Sequence, residues 1–182
     1  MKETELSIKS FPDPVLKKKA RAVVGVLQRH RDILSKMAQL MYDHSGIGLA
    51  APQVGISECM IVADIGSGLY KLINPRIILK EGTQAMEEGC LSVPGVCIKV
   101  KRAKKIKVSA LDDTGKRIKI EAEGLLACVL QHEMDHLRGK VIVDYANFLD
   151  KVRIKKRLEE LKRKYKNEGM SGSETKSCQL QL

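Results

Sequence analysis

The segment 131–139 reads QHEMDHLRG and places His132 and His136 four residues apart, with Glu133 directly after the first histidine. On an α-helix, residues four apart lie on the same face, about one turn from each other. Two imidazoles in this arrangement can bind one divalent metal ion, and the carboxylate beside them can reach a water on that metal. Catalytic zinc-type sites usually have three protein ligands, so the segment predicts a metal site whose third ligand lies elsewhere in the chain.

The residues around this segment predict a buried helix. The stretch 124–138, GLLACVLQHEMDHLR, is apolar on nearly every side, and Gly139 follows near the position of a C-cap glycine. We therefore expect the histidines on a helix at the centre of the domain. Asp135 lies within this stretch and needs a cation if it is buried, for which Arg102 is our candidate; exposure of Asp135 to solvent is the alternative.

Runs of β-type sequence surround the predicted helix. Apolar and polar residues alternate most clearly in 105–111 and 117–122, and the connecting DDTG predicts a β-hairpin. The full set of runs comprises 59–65, 70–79, 96–102, 105–113 and 117–124. The fold class that we predict is α+β, with mixed antiparallel sheets packed around the central buried helix that carries HExxH, plus a C-terminal helix.

Amphipathic spacing predicts two further helices, at 26–44 and at 151–166, of which the second is strongly basic. The residues that follow, 167–182, are polar and rich in turn formers, and we expect a disordered tail. The chain then divides into a catalytic domain of residues 1–150, a basic C-terminal helix of residues 151–166, and the tail.

Composition restricts the class of protein. The chain has 182 residues, of which 43% are hydrophobic and 30% charged, as in a globular domain. It contains no apolar run that could span a bilayer, and its first residues lack the apolar region of an export signal, so we expect a cytoplasmic protein. In that compartment the five cysteines should be thiols. The net charge of +11 favours polyanionic partners.

Three solutions compete for the third metal ligand. The extended pattern HExxHxxGxxH would require a histidine at position 142, where the chain has Ile142. A downstream glutamate, Glu159 or Glu160, lies at a plausible distance but within a lysine-rich helix, where carboxylates more often pair with lysines. Upstream, Cys90 lies in the glycine-flanked stretch EEGCLSVPG, and a thiolate is a strong ligand for Zn²⁺ or Fe²⁺.

Three segments of the chain together resemble the signature motifs of the peptide deformylases. They are GIGLAAPQVG at 46–55, EGCLSVPG at 88–95, and QHEMDHLRG at 131–139, and their order and spacing also match that family. The resemblance extends over roughly residues 5–150. It implies a hydrolase that removes the N-formyl group from the formyl-methionine of newly made polypeptides and releases formate.

The resemblance also implies roles for individual residues. Cys90, His132 and His136 would bind one metal ion per chain, expected to be Fe²⁺, for which Zn²⁺ or another divalent ion can substitute. Glu133 would act as general base and then as general acid. Gln53 and the backbone N–H of Leu91 would stabilise the oxyanion. The formyl-methionine would be bound by a further set of substrate-binding residues, namely Ile47, Gly48, Met86, Glu88, Gly89, Leu125, Cys128 and Val129.

Other functions remain as alternatives at this point. GIGLAA fits the glycine pattern of dinucleotide-binding folds, but those glycines should follow a strand and open a helix. A metallopeptidase of the HExxH class would cleave internal amides rather than release formate. The basic segment 151–166 suggests binding to the ribosome near the nascent-chain exit, either in addition to catalysis or as the function of a non-catalytic binding module.

Overall fold

The computed structural model describes residues 6–168, which contain two antiparallel sheets and three α-helices. The larger sheet has the strand order β1-β2-β3-β6-β7, and the smaller sheet pairs β4 with β5. The elements are β1 (Gly48–Ala50), β2 (Met60–Ala63), β3 (Tyr70–Glu81), β4 (Gln84–Glu88), β5 (Ile98–Arg102), β6 (Lys105–Leu111), β7 (Arg117–Glu123), α1 (Gln28–Asp43), α2 (Gly124–His136) and α3 (Phe148–Glu168). This architecture confirms the predicted α+β fold class.

Helix α1 occupies most of the segment 26–44 in which helical spacing of apolar residues predicted it. It begins after Leu27, whose backbone N–H donates to Nδ1 of His30 at 2.8 Å. This bond satisfies one backbone donor that a helix start would otherwise leave unpaired. Leu34 and Met37 are fully buried on the inner face of the helix, where they pack under the sheet.

The predicted hairpin is confirmed as strands β6 and β7, which pair from Lys105 with Glu123 to Leu111 with Arg117. The connecting turn is held by the carboxylate of Asp112, which accepts hydrogen bonds from backbone N–H groups on the far side of the turn. Such Asx-type bonds are the reason that Asp favours tight turns.

The segment 46–55, which carries the first of the three motifs, has regular structure. It contains the edge strand β1, paired antiparallel with β2, and then a 3₁₀ helix at Ala51–Val54. The strand is short and glycine-rich, so no alternation marks it in the sequence. Because Gly46 and Gly48 lead into an antiparallel edge strand instead of opening an α-helix, the dinucleotide-binding alternative is wrong.

Helix α2 is the central element that the sequence predicts, and every residue from Leu126 to His136 is buried. The chain leaves the helix through Gly139, whose φ of +73° is a conformation that glycine adopts easily. A Cβ atom at this position would also lie 2.7 Å from the carbonyl carbon of Lys17. Gly139 therefore permits both the turn and the close packing of the N-terminal segment.

Helix α3 is longer than the predicted 151–166, because it begins at Phe148 and continues to Glu168. Ile154 and Leu161 are buried in a cluster with Cys90 and the strand β5, so the helix packs on the domain. The predicted disordered tail lies outside the described residues, except for its first two positions, which belong to α3. Among residues 6–168, none of the helices combines the length and the apolar character needed to cross a membrane.

The cysteines are not all thiols. Cys59, Cys90 and Cys128 are free, as expected, but Cys97 is disulfide-bonded. The prediction of five thiols is therefore wrong at Cys97. That prediction was based on the reducing environment expected for the compartment, which sets a general tendency and not the state of an individual cysteine.

Candidate metal centre

The two histidines of α2 face the same buried space. Their ring centroids lie 5.0 Å apart, with an angle of 74° between the ring planes. His132 and His136 are 2% and 1% exposed, respectively, and Glu133 between them is fully buried. Side chains as polar as these are uncommon at such depth unless they have partners or bind a metal.

Cys90 approaches this pair from the loop that follows β4. Its Sγ lies 3.3 Å from Nε2 of His136, and one ligand atom from each of Cys90, His132 and His136 lies within 4.8 Å of the other two. The loop is held in place by a hydrogen bond of 2.9 Å from the N–H of Val93 to the carbonyl of Cys90. The thiol from the second motif and the imidazoles from the third motif therefore meet in space.

The chemistry of the three side chains fits a bound cation. Burial, together with the charge of Glu133, raises the pKa of the Cys90 thiol to about 12, so a thiolate here needs a positive charge beside it. Nε2 of His132 is buried and has no hydrogen-bond partner among the described residues. A divalent metal ion would supply the missing charge and accept nitrogen ligands.

Glu133 is the second unusual group in this space. Neither of its carboxylate oxygens has a hydrogen-bond partner within the described part of the chain. Burial raises its pKa well above the ordinary value, and the negative charge of Glu88 adds to this effect. A carboxylate in such an environment accepts a proton readily, as a general base must.

Gly48, at the start of β1, lies directly against Glu133. A Cβ atom on Gly48 would be 2.9 Å from the carboxyl carbon of Glu133 and closer still to one of its oxygens. Glu133 can therefore occupy this position only because residue 48 has no side chain.

We expect Gly48→Ala to slow the release of formate that the motif resemblance implies by about 100-fold, because a displacement of about 1 Å at a reacting group has an effect of this size. Metal content should remain that of the wild type, since the three atoms nearest to a Cβ at position 48 all belong to Glu133 and none to a ligand candidate. Steady-state kinetics and metal analysis of the purified variant would check both points. Unchanged kcat would show that the position of Glu133 tolerates the added methyl group.

A charged network lies behind His132. The carboxylate of Glu88 contacts Nδ1 of His132 at 2.9 Å and accepts two hydrogen bonds from Arg102, at 2.7 and 2.8 Å. Burial opposes the ionisation of Glu88, but these partners outweigh it and lower its pKa to about 2. Arg102 also donates to Asp135 at 2.6 Å, which confirms the predicted pair. Glu88 therefore lies where it can fix the orientation of the His132 ring.

Sequence reasoning missed this role of Glu88, to which it assigned only a wall of the substrate site. It also missed Ser92, whose Oγ lies 3.2 Å from Nε2 of Gln53. A signal for Glu88 was present, because metal-bound histidines commonly donate to a carboxylate and Glu88 is the carboxylate nearest to Cys90 in the second motif.

Gln53 is held in a fixed orientation beside the centre. Its Oε1 accepts the N–H of Ala50 at 2.7 Å, and its Nε2 points towards Ser92 and towards Sγ of Cys90, at 3.6 Å. Gln53 and Leu91 are both fully buried. The amide nitrogen of Gln53 therefore faces the Cys90 side of the metal centre.

Five of the eight predicted substrate-binding residues belong to one buried core cluster or pack against it. Three of them, Ile47, Met86 and Leu125, are half-exposed and pack on the core cluster that contains Cys128 and Val129. Cys128 and Val129 are fully buried, as is Glu88, so they can form only the floor of a binding site. The remaining members, Gly48 and Gly89, are buried beside Glu133 and Cys90, respectively.

The other candidates for the third ligand do not reach the site. Ile142 is a buried apolar residue. Glu159 is exposed on α3, and Glu160 pairs with Arg157 at 3.2 Å on the same helix. Among the described residues, the metal-type cluster consists of Cys90, His132 and His136.

Known proteins match both the sequence and the fold. The family model described as Polypeptide deformylase matches residues 5–152. The peptide deformylase of Thermoanaerobacter pseudethanolicus is 49% identical over 144 residues, which cover 79% of this chain and 91% of that protein. The crystal structure of a peptide deformylase from Legionella pneumophila aligns with a TM-score of 0.83 at 40% identity, over 90% of this chain and 99% of that one.

A peptide deformylase from Plasmodium falciparum aligns over 91% of this chain and the whole of its own, with a TM-score of 0.85 at 33% identity. The similarity therefore extends beyond the three motifs to the complete arrangement of sheets and helices. With the family model covering most of its length, this chain belongs to the polypeptide deformylase family.

Proposed function

We propose that Cys90, His132 and His136 hold the single divalent metal ion with which this chain removes the N-formyl group from newly made polypeptides. The observation that supports this most directly is the cluster itself, three buried side chains whose ligand atoms lie within 4.8 Å of one another. Three protein ligands are typical of catalytic centres. When bound, such an ion supplies a Lewis acid and lowers the pKa of a water from about 15.7 to about 7.

Fe²⁺ is the metal that we propose, and Zn²⁺ or another divalent ion can substitute for it. One thiolate and two imidazoles suit either ion, because both accept sulfur and nitrogen ligands. Because the described residues contain one such set of three donors, we propose one ion per chain.

Glu133 is the proposed general base and general acid. Its raised pKa favours transfer of a proton from the attacking water to its carboxylate. As the bond between the formyl carbon and the methionine nitrogen breaks, Glu133 returns this proton to the nitrogen. The products are formate and a polypeptide with a free amino terminus.

Gln53 and Leu91 are the proposed donors to the oxyanion that develops on the formyl oxygen. The bond from Ala50 fixes the acceptor side of the Gln53 amide, so its Nε2 is oriented before the substrate arrives. Leu91 directly follows Cys90, and this adjacency to a proposed metal ligand supports a role for its backbone N–H. A single preorganised donor of this kind is typically worth about 3–4 kcal/mol in the transition state.

The methionine side chain is proposed to bind among the apolar residues beside α2. Ile47, Met86 and Leu125 are half-exposed and available for contact. The edge strand β1 begins at Gly48, and an extended peptide can pair with the free edge of a sheet. The buried Gly89, Glu88, Cys128 and Val129 complete the proposed site from below.

Release of formate separates this function from the metallopeptidase alternative. The test is incubation of anaerobically purified protein with formyl-Met-Ala-Ser, followed by measurement of formate, of free amino termini and of bound metal. Formate equal in amount to the new Met amino terminus, with no cleavage of internal amides, would support the proposal. Internal cleavage without formate would identify a peptidase.

The proposed partners are N-formylated nascent peptides and, through α3, the ribosome near the nascent-chain exit; the proposed location is the cytoplasm. The exposed side of α3 carries a series of lysines, including Lys151, Lys155 and Lys156. Lysines on one face favour a phosphate backbone as partner. Because Ile154 and Leu161 are buried against the domain, deletion of the helix would also disturb the fold, so surface substitutions make the cleaner test.

We expect the double variant Lys155→Glu/Lys156→Glu to bind ribosomes more weakly while hydrolysing free formyl peptides at the wild-type rate. The slope of log affinity against log salt should fall by about 2, one for each lost phosphate contact. A matched control, Lys116→Glu/Lys119→Glu, makes the same change in net charge at exposed positions around β7. Equal loss of ribosome binding in both variants would show an effect of overall charge and argue against docking by α3.

A further inference from the structure

The network behind His132 extends further than a metal centre requires, and it ends at a residue outside the three motifs. Tyr145 lies at the end of the 3₁₀ helix Ile142–Tyr145, between α2 and α3. Its hydroxyl donates to Oδ2 of Asp135 at 2.6 Å. The same oxygen accepts a hydrogen bond of 2.6 Å from Arg102, and the guanidinium carbon of Arg102 lies 5.0 Å from the centre of the Tyr145 ring.

Arg102 connects this end of the network to the metal centre. Its Nε and one terminal nitrogen bind both oxygens of Glu88, and the other terminal nitrogen binds Asp135. Glu88 in turn contacts Nδ1 of His132. The contacts thus run without interruption from Tyr145 to a proposed metal ligand, through three residues that are each at most 7% exposed.

We infer that Tyr145 is a positioning residue of the metal centre, acting on His132 through Asp135, Arg102 and Glu88; this inference rests on the proposed metal-binding role of His132. Tyr145 holds Arg102 in two ways, by fixing the carboxylate that Arg102 binds and by presenting its ring to the guanidinium. Arg102 is then less free to leave the geometry in which it binds both oxygens of Glu88. The orientation and basicity of the His132 ring depend on that carboxylate.

The size of the expected effect follows from the distance along the network. Loss of a direct partner of a metal-bound histidine typically weakens metal binding by about 10- to 100-fold. Tyr145 acts through three intervening side chains, so we expect an effect near the lower limit, about 10-fold. The ring also packs at the edge of the cluster that contains Cys90 and Ile154, so the ring must be retained in any test.

The variant that separates these contributions is Tyr145→Phe, which removes the hydroxyl and keeps the ring. Tyr42→Phe is the matched control, because Tyr42 on α1 likewise donates to an aspartate, Asp64, at 2.7 Å and takes no part in the network. Both proteins and the wild type would be loaded with Co²⁺, whose visible spectrum reports the geometry of its ligands. Release of Co²⁺ to an excess of chelator and the temperature of unfolding would be measured in parallel.

We expect Tyr145→Phe to release Co²⁺ about 10 times faster than the wild type and to show a changed spectrum, with Tyr42→Phe unchanged in both. Wild-type release and spectrum in Tyr145→Phe would overturn the inference and leave the metal site intact. Equal acceleration in both variants would also overturn it, since the effect would then be general destabilisation. If the wild type does not bind Co²⁺ through Cys90, His132 and His136, the proposed function itself fails.

Discussion

Replacement of Glu133 by alanine is expected to lower kcat for formate release by about 10³- to 10⁴-fold while the protein retains its metal. The reason is the position of the carboxylate, which is fully buried between two proposed ligands and has no partner of its own among the described residues. Without it, the site loses the proposed group that accepts the proton of the attacking water and delivers one to the leaving nitrogen. Formate release at saturating formyl-Met-Ala-Ser, together with metal analysis, is the measurement.

Two observations would separate loss of chemistry from loss of structure in this variant. In the metal-free state, the Ala variant should resist thermal unfolding at least as well as the wild type, because the substitution removes an unpaired buried carboxylate. The control is Glu87→Ala, an exposed glutamate on β4, which should keep full activity. Substantial activity in Glu133→Ala would exclude Glu133 as the proton acceptor and direct attention to a water-mediated route.

Elements with a strong local period were predictable from the sequence. The hairpin of β6 and β7 follows from alternation and a DDTG turn, and α2 follows from an apolar stretch that ends near a glycine. Strand β1 was not predictable, because three residues in a glycine-rich segment carry no period. The presence of a local sequence pattern therefore explains why β6, β7 and α2 were predictable, and its absence explains why β1 was not.

The candidate site shows more clearly that a local sequence pattern predicts the arrangement of neighbouring residues but not contacts between distant ones. The spacing of His132 and His136 is a local property, so their shared face could be predicted. Cys90 and His136 are 46 positions apart, so the residues alone left Cys90 as one of several candidates, and the resemblance to a family selected it. The contacts of Arg102 with Glu88 and Asp135 span 14 and 33 positions, respectively, and only one of the two was foreseen, from the need to neutralise a buried aspartate.

Exchange of Cys90 for serine is expected to weaken metal binding by more than the roughly 100-fold that loss of an outer partner can cause, and to abolish formate release at ordinary metal concentrations. Serine is nearly the same size, so the substitution tests the ligand atom rather than the packing. A hydroxyl is a far weaker ligand than a thiolate for Fe²⁺ or Zn²⁺. Competition with a chelator and metal analysis after dialysis would measure the loss.

Two control substitutions make this result decisive for the third ligand. Cys59→Ser changes a free, half-buried thiol that contacts the carbonyl of Ala20, outside the metal cluster, and should leave metal binding unchanged. Glu159→Ala removes an exposed carboxylate of α3 and should also leave metal binding unchanged. If Cys90→Ser kept its metal and Glu159→Ala lost it, the ligand would come from the C-terminal helix, and α3 would have to adopt a different position. We expect the opposite result. Ile154 and Leu161 are buried beside Cys90, so α3 is held against the domain with Glu159 directed to solvent.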